Sequence, residues 1–129
     1  MSVNGKILTA ITSALNYLES SMGALSNKDE DSFAKGVWHV VAELEYALFL
    51  FSIVLQNSVA PKPKADPNLK NAEVNQILAD ANQFLKDAET LVKDGKFLEA
   101  HENVLSARNY ILKVQEALSK RRREASKNK

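Results

Sequence analysis

The sequence contains two histidines, His39 and His101, and no cysteine. A serine-type hydrolase would have to use one of these histidines, yet no serine or threonine lies in a recognisable nucleophile turn. The lack of cysteine excludes thiolate nucleophiles, thiolate metal ligands and disulfides. We therefore expect no catalytic residues and no enzymatic activity.

The carboxylates and histidines are poorly spaced for a metal site. Helical bundles bind metals through Glu-x-x-His pairs on facing helices, but Glu99 and His101 are only two residues apart. His39 and Glu43 form one i,i+4 pair without a second. The acidic run at residues 29–31 lacks the glycine and the bidentate glutamate of a calcium loop and suits a helix N-terminus better. We expect no bound metal.

A nucleotide or phosphate cofactor needs a glycine-rich loop whose backbone can approach the phosphates. The four glycines are scattered over the chain, at positions 5, 23, 36 and 95. We expect no bound cofactor.

Apolar residues recur at steps of three and four in four stretches of the sequence, which predicts four amphipathic helices. These helices must position the histidines and carboxylates. The predicted helices lie near residues 4–25, 28–57, 68–94 and 96–123. A very short turn at Asp94-Gly95 predicts an antiparallel hairpin. Prolines at 61, 63 and 67 exclude a helix between the second and third stretches. The predicted fold is all-α, an antiparallel four-helix bundle of two helical hairpins joined by a Pro-containing linker.

The 129 residues fit one helical-bundle domain. Its predicted parts are hairpin 1 at residues 4–57, a linker at 58–67, hairpin 2 at 68–119 and a basic tail at 120–129. The core is expected to contain Leu18, Val41, Leu44, Leu85, Ala88, Val104 and Ile111.

The two hairpins show signs of an internal repeat. Apolar positions of the first and third helices match at an offset of 67, as with Leu18 and Leu85. Those of the second and fourth match at 64, as with Phe33 and Phe97, if the first turn holds three extra residues. A true duplication and a chance match of two amphipathic hairpins both remain open.

Residues 78–118 carry a pattern that resembles a hairpin of small archaeal proteins of unknown function. The residues that carry it are Ala81, Phe84, Leu85, Asp87, Ala88, Gly95, Phe97, Glu99, Ala100 and Ala107. The segment GKFLEA also resembles the turn of a tetratricopeptide-type repeat, and the paired hairpins resemble the HEPN group of helical bundles, several of which cut RNA. That group's nuclease signature places an arginine before a histidine, whereas Arg108 follows His101 here. The resemblance implies the fold without the nuclease activity.

The second predicted helix carries more apolar residues than one buried face requires. Its last three turns are apolar nearly all round, which is typical of a helix that is central or covered by a partner. The residues predicted to form an interface are Trp38, Tyr46, Phe49, Leu50, Ile53 and Val54. Core packing and a subunit or partner interface are both open explanations.

The net charge of +1 conceals an acidic body with a basic tail. Residues 1–119 carry eleven basic and fifteen acidic residues, whereas residues 120–129 carry six basic residues and one glutamate. The basic residues that would contact nucleic-acid phosphate are Lys120, Arg121, Arg122, Arg123, Lys127 and Lys129. A helix end that complements the helix dipole explains the same charges.

Two hypotheses of function follow. The first is a non-enzymatic interaction module that self-associates, as a homodimer for example, or docks on a larger protein through its second helix. The second is a basic-tailed accessory subunit of a nucleic-acid enzyme, with archaeal DNA polymerases as an analogy in size and charge. Because the apolar run near Tyr46 is bordered by charges and the N-terminal stretch does not resemble a signal peptide, we expect no membrane partner and a cytoplasmic location.

Overall fold

The computed structural model describes residues 2–56 and 73–127, and these form four α-helices with no strand among them. Helix α1 is Val3–Ser26, α2 is Glu30–Val54, α3 is Val74–Lys93 and α4 is Phe97–Lys127. The all-α prediction is confirmed. Helix α2 ends three residues earlier than predicted, and α4 continues four residues further, so the predicted tail is helical as far as Lys127. The predicted linker and the predicted start of the third helix, before Glu73, lie outside the described residues.

Polar side chains cap the N-termini of the first two helices. The hydroxyl of Ser2 accepts a hydrogen bond of 3.1 Å from the backbone N–H of Gly5 at the start of α1. Asp29 caps α2 by accepting a 3.2 Å hydrogen bond from the backbone N–H of Ser32. Hydrogen bonds from the side chain and the backbone of Ser32 hold the pKa of Asp29 below its ordinary value. The acidic run at residues 29–31 therefore serves as a helix N-terminus, as predicted.

Each hairpin packs its two helices together, and the hairpins meet through α2 against α4 and α1 against α3. Three contacts fix the direction of α2 relative to α4, because residues early in α2 meet residues late in α4. The contacting pairs are Glu30 with Arg121, Glu45 with Arg108, and Phe51 with His101. Neighbouring helices are thus antiparallel around the bundle, and α2 and α3 are diagonal to each other.

The two hairpin turns are built alike. After α1, the N–H of Asp29 bonds to the carbonyl of Ala24 and the N–H of Lys28 to that of Leu25. After α3, Lys96 and Gly95 repeat the pattern at the same offset of 67, with Gly95 at φ +77° and Lys28 at φ +59°. Both turns hold three residues, so the predicted three-residue insertion in the first turn is wrong.

The buried positions consequently match at one offset, 67, in both pairs of helices. In the first pair Ala10, Ile11, Ala14, Leu18 and Ser21 correspond to Ile77, Leu78, Ala81, Leu85 and Ala88. In the second pair Phe33, Val37, Val40, Leu44 and Ala47 correspond to Ala100, Val104, Ala107, Ile111 and Val114. Because α1 is antiparallel to α3 and α2 to α4, a single offset is the pattern of two hairpins related by an approximate twofold axis perpendicular to the helices.

Six of the seven predicted core residues are buried, and Val41 is the exception. Val41 is half-buried because it lies on the flank of α2 rather than on the inner face. A close helix contact joins α1 and α2, where Gly36 lies against the buried side chain of Ser21. A methyl group on Gly36 would collide with the Ser21 hydroxyl, so alanine at this position would force the Ser21 side chain to move.

Candidate interaction surface

The face of α2 opposite the core carries a row of apolar residues, which we call the outer row: Trp38, Ala42, Tyr46, Phe49 and Ile53. Steps of four and three residues place them on one side of the helix. Trp38 and Phe49 are each 60% exposed, Tyr46 is 46% exposed and Ile53 is 41% exposed. Large apolar side chains in a continuous exposed row are typical of a contact surface rather than of scattered surface residues.

Four of the six predicted interface residues belong to this surface, and two do not. Leu50 is only 4% exposed, because its position on the helix faces the core. Val54 is half-buried and packs against the same core. The predicted interface is corrected by removing Leu50 and Val54 and adding Ala42, which is exposed at the middle of the row.

Aromatic rings extend the surface from α2 towards α1. The ring of His39 stacks on Tyr17 with centroids 4.7 Å apart, and Trp38 meets His39 edge-on at 5.3 Å. Tyr17 is itself 38% exposed. Trp and Tyr are the residues that most often dominate binding energy at protein interfaces. Sequence reasoning missed Tyr17 and His39, because their contact depends on how α1 pairs with α2.

A groove of about 400 Å³ lies beside Trp38, between the start of α2 and the end of α4. Ala34 and Lys35 form its α2 wall, and Gln115 and Leu118 form its α4 wall. The internal repeat explains its origin, since Ala34 corresponds to His101 and Leu118 to Phe51 at the offset of 67. His101 fills the other end of the same helix pair, whereas alanine leaves this end open.

At that filled end, the rings of His101 and Phe51 lie parallel, with centroids 5.0 Å apart. Burial lowers the pKa of His101, because the charged imidazolium loses its solvation. Its buried Nδ1 has no hydrogen-bond partner among the described residues. Burial therefore favours the neutral imidazole, whose ring packs on Phe51 between α2 and α4.

Between the two ends, one ion pair bridges α2 and α4. Arg108 Nη1 lies 3.1 Å from Glu45 Oε1, with the arginine side chain 28% exposed. The Glu45 carboxylate is therefore held on the α4 side of the outer row. Within the described residues, no group of three or more histidines, aspartates and glutamates is arranged to bind a metal ion.

Five of the six predicted nucleic-acid residues, from Lys120 to Lys127, lie on the last turns of α4, which pass the start of α2 at Arg121. Arg121 pairs with Glu30 at 3.1 Å, and both side chains are about two thirds exposed. Lys120 and Arg123 are exposed. The side chains of Arg122 and Lys127, and the whole of Lys129, lie outside the described part of the structure. Arg121 therefore already has a carboxylate partner within the chain.

Helix α2 is also long and apolar enough to cross a membrane by length and composition, with a mean hydropathy of 1.6 in its most apolar window. One third of that window is buried inside the bundle. A core helix of a soluble protein meets the same criterion. Because the outer row is exposed and apolar, a lipid contact and a protein contact are both open for it.

Comparison of this chain with protein-family models, with curated proteins and with solved structures finds no match. Any assignment of function therefore rests on the chain's own surface.

Proposed function

We propose that this chain is a non-enzymatic helical interaction module, which self-associates or docks on a larger protein through the outer row of α2. One observation carries the proposal: the outer row exposes four large apolar side chains on the face opposite the core. Its expected location is the cytoplasm, and a protein is its expected partner. No catalytic, metal or cofactor role is part of the proposal.

Removing the outer row from water would stabilise a complex. Fully burying an aromatic or large aliphatic side chain stabilises a complex by about 1.5–3 kcal/mol relative to leaving it exposed. Three aromatic rings and one isoleucine in a single row can therefore supply much of the free energy of a specific complex. The row is also rigid, because α2 is anchored through its core face by Phe33, Leu44 and Phe51. A rigid surface loses little conformational entropy on binding.

The test is site-specific photo-crosslinking in cells that make the protein. A benzoylphenylalanine at position 49 should give a discrete covalent adduct on irradiation, because this side chain would lie inside the interface. The matched control carries the same group at Ala79, an exposed position on α3, diagonally across the bundle. No adduct from position 49, or the same adducts from both positions, would contradict the proposal.

A second candidate function, nucleic-acid contact through the tail, is favoured by one observation. Helix α4 runs past the contact between Arg121 and the first residue of α2, so Arg123 is presented on a projecting helix end and Lys120 is exposed beside the contact. Such a surface would dock on phosphates without reading bases. It fits an accessory subunit of a nucleic-acid enzyme, the other role considered above.

Salt dependence tests this second candidate. Engagement of four to six phosphates on duplex DNA should give a log-log slope of affinity against salt of roughly −3.5 to −5.5. Removing residues 120–129 should abolish binding, because the remaining body is acidic. A truncated chain that binds as well as the intact one, or an intact chain without affinity at low salt, would contradict it.

A further inference from the structure

The surface of α2 has a spacing that is symmetric about Ala42. Trp38 lies four residues before Ala42 and Tyr46 four residues after it. Lys35 lies seven residues before and Phe49 seven after, and Asp31 and Ile53 lie eleven before and eleven after. At about 1.5 Å of rise per residue, Lys35 and Phe49 are each about 10 Å from Ala42 along the helix. A twofold axis through Ala42 and perpendicular to α2 would therefore place each early position opposite its late counterpart in the second copy.

The two halves of this surface have complementary shapes. The early half contains the groove of about 400 Å³ beside Trp38, walled by Lys35 and Ala34. The late half contains Phe49 and Ile53, which project into solvent. In a twofold contact the same patch must fit itself. A projecting half and a grooved half at equal distances from Ala42 meet this requirement.

We propose that the occupant of the outer row is α2 of a second copy of this chain, packed antiparallel about a twofold axis at Ala42. Phe49 and Ile53 of each copy cover the groove beside Trp38 of the other copy. This inference rests on the proposed function of α2 and names its partner. Ala42 allows the two helices to approach closely at the axis.

The charges on α2 favour this direction of packing. In the antiparallel arrangement Lys35 faces the ring of Phe49 of the second copy, a cation–π geometry. A parallel arrangement would place Lys35 against Lys35, which is repulsive. An antiparallel pair therefore separates like charges along the helix.

The exposed rings supply part of the area that a dimer needs. At the exposures given above, the three aromatic rings present roughly 350 Å² of surface, from the usual range of about 150–250 Å² per ring. A standard interface buries about 800 Å² on each partner. The rings thus form the central apolar part of such an interface, and the groove walls and neighbouring polar side chains must form its rim.

Sedimentation equilibrium of the full chain tests the partner. The wild-type protein should show a concentration-dependent monomer–dimer equilibrium above its mass of 14.3 kDa. Phe49→Glu should raise the dissociation constant about 30-fold or more, the loss expected at an interface hot spot. The matched control Ala79→Glu, also exposed on a helix, should dimerise like the wild type. Circular dichroism of both variants checks that the bundle is intact, and a wild type that stays monomeric would overturn the inference.

Because the chain has no cysteine, single introduced cysteines test the geometry. Ala42→Cys should form a disulfide-linked dimer on mild oxidation, since only residues near the axis meet their own counterparts within about 7 Å. Phe49→Cys should not, because its counterpart lies about 21 Å away along the helix. A disulfide through Phe49→Cys without one through Ala42→Cys would overturn the antiparallel register.

The outcomes separate this inference from the proposed function. A strictly monomeric protein whose position 49 photo-crosslinks to a different protein would overturn the homodimer and leave the interaction module standing. A monomer that gives no adduct would overturn both. Binding of the monomer to phosphatidylcholine vesicles, lost in Phe49→Glu but not in Ala79→Glu, would overturn both in favour of a lipid contact.

Discussion

Helices α2 and α4 occupy equivalent places in the twofold repeat, yet their outer faces differ. Their inner faces agree, as with Val37 and Val104 or Leu44 and Ile111. On the outer faces, Ala42, Tyr46, Phe49 and Ile53 of α2 correspond to Asn109, Lys113, Glu116 and Lys120 of α4. The fifth position of the outer row, Trp38, corresponds to the half-buried Leu105. From Asn109 to Lys120, helix α4 shows that the bundle closes with a polar face. The aromatic face of α2 is therefore not required by the fold.

The largest expected effect concerns the inner faces, where the two helices should behave alike. Leu44→Ala and Ile111→Ala each remove a fully buried side chain and should each lower the free energy of unfolding by about 2–5 kcal/mol. Urea denaturation of the two variants measures this. A loss at one position only would show that the two hairpins do not contribute equivalent halves of the core.

The next effect concerns an inward position at which the repeats differ, Gly36 in α2 and Asn103 in α4. Gly36→Ala places a methyl group against Ser21, 3.1 Å from its Cβ, and should cost about 1–3 kcal/mol of unfolding free energy through overpacking. Gly23→Ala is the control, because no atom lies within 4 Å of its added methyl. It should instead stabilise the helix by about 0.5–1 kcal/mol. Thermal melting compares the two, and stabilisation by both would contradict the close contact.

A smaller effect concerns the end of the α2–α4 pair that His101 fills. Burial lowers its pKa in the folded state below the ordinary 6.5, so the unfolded chain binds the proton more tightly. Its contribution to stability is complete above pH 6.5 and falls as the pH drops from there towards the folded-state pKa. His101→Phe should remove this part of the pH dependence and keep the stack on Phe51. Denaturation midpoints between about pH 7 and pH 5 test it, and an unchanged slope in the variant would contradict it.

The smallest effect concerns the outer faces themselves. Giving α2 the residues of α4, as Tyr46→Lys, Phe49→Glu and Ile53→Lys together, should change the unfolding free energy of the monomer by only about 1 kcal/mol, since exposed substitutions usually cost little. The measurement is urea denaturation at a concentration where the chain is monomeric. A loss comparable to that of Leu44→Ala would show that the outer row supports the fold, and it would remove the argument for a binding surface.

The sequence predicted the fold well, because the spacing of apolar residues in α1, α3 and α4 marks one buried face on each helix. The prediction of which apolar residues are exposed failed in α2 for a physical reason. With apolar residues on nearly every face, nothing in the sequence distinguishes the buried Leu50 from the exposed Phe49 one position away. Only the pairing of α2 with α1 and α4 decides which of them meets the core.

Other features depended on geometry that no single stretch of sequence contains. The offset of 67 in the second helix pair was hidden because Phe33 corresponds to Ala100 rather than to Phe97. The groove beside Trp38 arises from the small side chain of Ala34, which attracts no notice in the sequence. The partner of Arg121 is Glu30, 91 positions away, so the charge of the tail alone did not reveal it.

The three-residue turns also bear on the order in which the chain folds. Within the first hairpin, Gly36 meets Ser21 across a single turn, whereas Arg108 and Glu45 are separated by 63 positions along the chain. Each doubling of a closed loop costs about 0.6 kcal/mol of chain entropy, so contacts within a hairpin lose less entropy than those between hairpins. We expect the hairpins to form first and to dock afterwards. Until docking, the inner faces of both hairpins are exposed together with the outer row of α2, so the half-folded chain is the state most prone to aggregate.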